Sequence, residues 1–154
     1  MSVKWKSILL TVIIVLLGFI RGYLFGNINW VYKTLTEGRM NQARDEFHFL
    51  LDWDPSNIVI LKWVLTIIFI GLFSLLSYLI IKIYFKNPTY SRITLLLFAG
   101  IFLGSGLLLT IGKLFGISND IYHIVRTLMG LGQSFMPLMI LFILFKFFPQ
   151  TKAE

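Results

Sequence analysis

Four long apolar stretches set the terms for everything else in this 154-residue chain. A bilayer hydrocarbon core of about 30 Å takes about 20 residues in helical form. The first stretch runs over about 8–26 and is interrupted late by Arg21. The second, about 58–81, carries Lys62 near its start. The third, about 93–112, holds no charge, and the fourth, about 121–147, carries Arg126 early and is then uncharged from Thr127 to Phe145. In lipid an isolated strand cannot satisfy its backbone hydrogen bonds, so all four are expected to be helices. Charged residues make up 14% of the chain, against roughly 25% in an average soluble domain. Too little polar chain remains to cover four such helices in water, which excludes a soluble globular enzyme. The expected fold is a single integral membrane domain, all-α, with four transmembrane helices in a bundle. Both termini then share a side, and 27–57 forms an outer loop.

The N-terminal segment, with Lys4 and Lys6 ahead of an apolar run, has the outline of a secretory signal. A signal needs a small-residue cleavage site after its core. Here the core continues through Gly18, Phe19, Ile20 and Arg21 into Tyr23, so an uncleaved first helix is expected. Orientation rests on the basic residues near the spans. Lys4, Lys6, Lys82, Lys86, Arg92, Lys146 and Lys152 fall on one side; Arg21, Lys33, Arg39, Arg44, Lys62, Lys113 and Arg126 fall on the other. The tie is broken by density, because the 82–92 loop has three basic residues and no acid while 27–57 spreads three over its length. The termini are therefore expected in the cytoplasm. Most of the formal charge of +7 then reports orientation, and no basic patch suggests nucleic acid.

The loop of 27–57 carries every acid except Asp120 and Glu154. Thr36-Glu37-Gly38 reads as a turn, and Asn41 to Asp52 as a short helix with Phe47, Leu50 and Leu51 on one side. Asp54-Pro55-Ser56-Asn57 reads as a turn that caps the second span. Trp30, Trp53 and Trp63 fall where aromatic residues meet headgroups.

Small residues recur at four-residue spacing. Gly18, Gly22 and Gly26 stripe the first helix, Gly100 and Gly104 the third, and Gly130 with Ser134 the fourth. Such stripes let helix backbones approach closely in lipid, so packing within the bundle is expected, with packing against another protein as the alternative. A charge inside a span costs about 2.5–3.5 kcal/mol at the helix centre, so it faces protein, water or a headgroup. Arg21, Asn27, Asn29, Asp120, His123 and Arg126 form a polar layer near the outer face, with Gln133 and Ser134 deeper. On the fourth helix Arg126, Gly130, Gln133 and Pro137 share a face. Two accounts of this layer stand side by side. The arginines snorkel to headgroups or pair with Asp120, or they form an outward notch for a lipid phosphate or a partner's carboxylate. Pro137 should kink the fourth helix and free a carbonyl for Gln133 or Ser134 to help satisfy.

No catalytic constellation emerges. The chain has no cysteine, which excludes thiolate metal sites and cysteine nucleophiles. His48 and His123 lack metal-ligand spacing, and there is no phosphate-binding glycine loop or serine elbow. No metal or cofactor is expected.

The segments Arg21 to Asn29 (RGYLFGNIN), Leu61 to Thr66 (LKWVLT) and Arg126 to Leu141 (RTLMGLGQSFMPLMIL) resemble ones in small, uncharacterised four-helix membrane proteins of the Bacteroidota. The resemblance implies a bacterial inner-membrane protein. It singles out Arg21, Asn27, Asn29, Lys62, Arg126, Gln133 and Ser134, and it carries no activity with it. The leading functional expectation is a non-catalytic subunit or assembly partner of a larger inner-membrane complex, in contact with lipids and other membrane proteins. The alternatives are a lipid-binding protein using Arg21 and Arg126 on an anionic headgroup, and a small oligomeric transporter with Gln133, Ser134 and Pro137 lining a cavity.

Overall fold

Residues 3–147 are described by a computed structural model, which is helical apart from short connections. Lys152 and Glu154 lie outside the described residues, as do the side chains of Lys4 and Asp120. Helix α1 spans Val3–Glu37, α2 Pro55–Phe85, α3 Pro88–Leu114, α4 Ser118–Gly132 and α5 Met136–Phe147. A 3-10 helix, Asp45–Asp52, lies between α1 and α2. Among the described residues there is no strand. By length and composition α1, α2 and α3 can each cross a membrane, whereas α4 and α5 reach that length only as a pair bent by 64°. The chain is an integral membrane protein.

The first helix is longer than its apolar stretch. The expected loop of 27–57 is helical as far as Glu37, because nothing between Gly26 and Gly38 breaks a helix. Ile28, Val31 and Leu35 follow helical spacing and pack with Ala43, Phe47, Leu50 and Ile58 into a small core beyond the first apolar stretch. Burying that stripe outweighs the modest helix propensity of Asn27 and Asn29. Gly38, at φ +64°, takes the left-handed conformation that closes a helix without a steric penalty. The expected short helix appears as Asp45–Asp52, with Phe47 and Leu50 buried. Pro55 opens α2 at its first position, where a missing N–H costs nothing.

Only Lys86 and Asn87 separate α2 from α3. Lys86 adopts φ 54°, and the Asn87 side chain accepts a hydrogen bond from Thr89 N at 2.9 Å, capping α3. Around this tight turn an aromatic cluster gathers, in which Tyr90 stacks on Phe145 of α5 at 4.2 Å and Phe85 meets Phe142. At the opposite end of α3, about 33 Å away at 1.5 Å per residue, Gly112 lies against Ile121 of α4. The main core between these ends joins Ile14, Phe73, Ile81, Phe98, Leu138 and Leu141.

The fourth apolar stretch breaks where a kink was expected. Helix α4 stops at Gly132 and α5 restarts at Met136, with Pro137 in its first turn. Proline has no N–H to give and clashes with the preceding turn, so the helix restarts around it. Ser134 repairs the break: its hydroxyl donates to Leu131 O at 2.7 Å and accepts from Met136 N at 3.3 Å.

The glycine stripes do not perform the expected packing. A Cβ at Gly18, Gly22, Gly26, Gly100 or Gly104 would meet nothing within 4 Å. The close approaches fall at Gly112, 3.2 Å from Ile121, and at Gly132, 3.1 Å from Ile101. Among the described residues these five positions stand open, with room for a side chain at each.

Candidate functional site

Helix α1 packs along α2, and α2 contacts α4, but α1 and α4 have no extensive packing of their own. The gap between them is a groove of about 400 Å³ floored by α2. Arg21, Gly22, Phe25, Gly26, Asn29 and Tyr32 line it from α1. Val59, Lys62, Trp63 and Thr66 line it from α2, and Tyr122, Val125, Arg126, Met129, Gly130 and Gln133 from α4 to its break. Along α1 the lining extends about 16 Å from Arg21 to Tyr32 at 1.5 Å per residue. Arg21 and Gln133 mark the end nearer the middle of the molecule. Tyr32, Val59 and Tyr122 mark the end facing the 38–54 segment.

Arg21 is held from two directions. Its Nε donates to Gln133 Oε1 at 3.1 Å, and its guanidinium carbon lies 5.2 Å from the Phe25 ring centre. A Cβ at Gly130 would lie 3.9 Å from Arg21 Nη2, so the missing side chain there leaves the guanidinium its room. Gln133 is buried and terminates α4, which places its amide at the break instead of along a regular helix face. Lys62 sits over the Tyr32 ring with Nζ 4.9 Å from its centre. Both cations thus keep an aromatic face beside them, a contact worth about 0.5–1 kcal/mol when exposed and about 2 or more when desolvated. The third cation, Arg126, is exposed on the groove's wall, close enough for its charge to repel that of Lys62.

Among the described residues no carboxylate lines this groove. Three cations converge on one cavity together with the polar side chains of Asn29, Thr66, Tyr122, Trp63 and Gln133. In a low-dielectric setting such uncompensated charge is costly and attracts an anion.

Of the eight expected site residues, the fold brings Arg21, Asn29, Arg126 and Gln133 into the groove. Asn27 faces elsewhere: its Nδ2 donates to Tyr23 O, and its Oδ1 accepts from Arg44 N at 2.9 Å, fastening the 3-10 helix to α1. His123 is exposed outside the groove lining, and Ser134 serves the helix break. Asp120 belongs to α4, and its side chain is outside the described set. Lys62 is the principal addition to the site read from polarity and spacing. Its position near the start of a span reads as a flanking charge, and only its place among the residues of the family-like segments set it apart. Gly22, Gly26 and Gly130 line the groove, so here small residues make space instead of contact. Among the described residues no group of three His, Cys, Asp or Glu side chains assembles.

The fold and site together define an α-helical membrane protein with a groove lined by three cations. Compared with known proteins, the chain matches no family model, no curated protein and no solved structure.

Proposed function

We propose that this protein binds the anionic headgroup of a membrane lipid in the groove between α1, α2 and α4. The observation that carries the reading is the convergence of Arg21, Lys62 and Arg126 on one cavity with no described carboxylate among its lining residues. Charge-assisted hydrogen bonds from guanidinium and ammonium groups to phosphate are about twice as strong as neutral ones. The apolar exterior of α1, with Leu16, Phe19 and Ile20 exposed, gives the acyl chains a surface to lie against.

Four crossings are part of the same reading. Helix α4 begins beside Gly112 at one end of α3, and α5 reaches Tyr90 at the other. A re-entrant pair would return to the end from which it started, so α4 and α5 cross as one broken span. The described chain then begins and ends on one side. Basic density around Lys82, Lys86 and Arg92 favours the cytoplasm for that side, and the end of the groove marked by Tyr32 and Tyr122 then faces outward from the bacterial inner membrane.

The test is lipid retention. The wild-type chain, purified in mild detergent, should carry about one tightly held anionic lipid per protein. A variant with Arg21→Gln, Lys62→Gln and Arg126→Gln should lose it while keeping its helical circular dichroism. Equal retention by both would end the proposal.

A second reading, a non-catalytic subunit of a larger membrane complex, is favoured by the uncovered glycines of α3. Gly100 and Gly104 line an open apolar furrow with Leu96, Leu107 and Leu128, and no described residue covers them. Stoichiometric protein partners after mild purification, lost on Gly100→Leu and Gly104→Leu, would support it. The transporter reading finds less, since Gln133 alone of Gln133, Ser134 and Pro137 lines the groove.

A further inference from the structure

The cations of the groove stand at two levels, and an apolar face of α1 continues below them. We infer that the groove binds an ester-linked glycerophospholipid, with its phosphate on Lys62 and Arg126 and its ester carbonyls on Arg21 and Gln133; the inference rests on the headgroup-binding reading above.

Arg21 and Lys62 rest on different aromatic rings of one helix. Arg21 lies over Phe25 and Lys62 over Tyr32. These rings are seven positions apart on the same face of α1, about 10 Å at 1.5 Å per residue. Helix α4 repeats the spacing in the opposite direction, from Arg126 to Gln133, the residue that ends it. Lys62 and Arg126, near enough for their charges to repel, make the level toward Tyr32 and Tyr122. Arg21, bonded to Gln133 at 3.1 Å, makes the level toward the middle of the molecule. A phosphate holds cationic donors at about 2.7–2.9 Å from its oxygens, so it occupies one level and not both. Two cations against one place it on Lys62 and Arg126, where Asn29 and Tyr122 also line the groove and suit a polar head beyond the phosphate.

The inner level offers donors for a neutral acceptor. With Nε committed to Gln133, Arg21 keeps its terminal nitrogens, and the Gln133 amide, its oxygen taken, keeps two N–H donors. A second anion here would bring the cost of another charge within a span. An ester carbonyl accepts the same hydrogen bonds without that cost. Below Gly22 the same face of α1 continues through Gly18, where a Cβ would meet nothing within 4 Å, to the exposed Val15. No charge intervenes between Lys6 and Arg21. Paired cations, then hydrogen-bond donors, then an apolar face repeat the order of phosphate, glycerol esters and acyl chains. An isoprenoid phosphate has no oxygen for the second level, and a water-soluble phosphate ester has no chain for the third.

The experiment compares two lipids that differ only in their carbonyl oxygens. Full-length protein in detergent is titrated with dioleoyl phosphatidylglycerol and with its dioleyl ether analogue, and bound lipid is read by native mass spectrometry. The ester lipid should bind about tenfold more tightly, a difference of about 1.4 kcal/mol. Arg21→Gln should erase that preference while leaving ether-lipid binding within about threefold, about 0.7 kcal/mol by the same relation. Lys62→Gln with Arg126→Gln should weaken both lipids by about tenfold or more and keep the preference. Equal binding of the two lipids by the wild-type protein, both lost in the triple Gln variant, would overturn the carbonyl inference and leave headgroup binding standing. A preference that survives Arg21→Gln would overturn the inner level as its source. Binding of either lipid that is unchanged in the triple variant would overturn both readings. Glycerol 3-phosphate is the third arm: full displacement of the ester lipid at low millimolar concentration would assign the groove to a soluble phosphate ester and overturn the lipid, whereas resistance supports it.

Discussion

The Nε of Arg21 donates a hydrogen bond to Gln133 Oε1 at 3.1 Å across 112 positions of sequence. It joins the middle of α1 to the point where the fourth apolar stretch breaks, at one end of the cationic groove. Replacing Gln133 separates structure from binding. Gln133→Leu leaves a half-buried guanidinium N–H unpaired and should lower thermal stability, by about 1–3 kcal/mol for a lost buried partner. Gln133→Glu should keep or raise stability, because it pairs with Arg21, yet it should reduce retained anionic lipid by supplying the negative charge itself. Thermal unfolding in detergent, with lipid analysis of the same samples, reads both effects.

The glycines are expected to divide by what surrounds them. At Gly22 and Gly26 an added Cβ meets nothing within 4 Å, so Gly22→Ala and Gly26→Ala should preserve or raise stability, as alanine favours helix by about 1 kcal/mol. Gly22→Leu with Gly26→Leu should keep the fold and fill the groove, so that bound lipid falls. Gly132→Ala places its Cβ 3.1 Å from Ile101 Cγ2 and should destabilise by about 1–3 kcal/mol through overpacking. Comparing melting temperatures across the set checks this division.

Asn27 predicts the converse pattern. Its Oδ1 accepts the Arg44 N–H ahead of the 3-10 helix, whose Phe47 and Leu50 pack on Ile28 and Val31. Asn27→Leu should cost about 1 kcal/mol for the lost hydrogen bond and expose the 38–44 segment to protease. Retained lipid should not change. Limited proteolysis with lipid analysis reads the two together.

Topology supplies a fourth prediction. A reporter active only in the periplasm should be active when inserted after Gly38 and inactive after Asn87. These two connections lie at opposite ends of α2, and the basic residues concentrate around the second. The reverse pattern of activity would invert the orientation.

Much of this architecture was open to reading along the chain. Apolar length marked four stretches, and Pro137 marked the trouble in the fourth. Local spacing misled at Gly26, where the apolar stretch ends but the helix continues. Ile28, Val31 and Leu35 continue the helical stripe there, and the residues that cover it, Phe47 and Leu50, belong to the short helix beyond, a partner that spacing within α1 alone does not show. The site was half legible for a related reason. A lone cation in a span is visible as a cost, so Arg21 and Arg126 stood out. Lys62, close to a span's start, has an inexpensive alternative in snorkelling and does not stand out by charge alone.

The sequence by itself determined the solvent. Four apolar stretches with so few charges can fold only in lipid, and in lipid only helices satisfy their backbones. Which charges meet was decided by tertiary structure. Arg21, Lys62 and Arg126 lie on three helices separated by tens of residues, and no periodicity within one helix can report the angle at which it faces another. Packing α1 on α2 and α2 on α4, while leaving α1 and α4 apart, turned three isolated costs into one cationic groove.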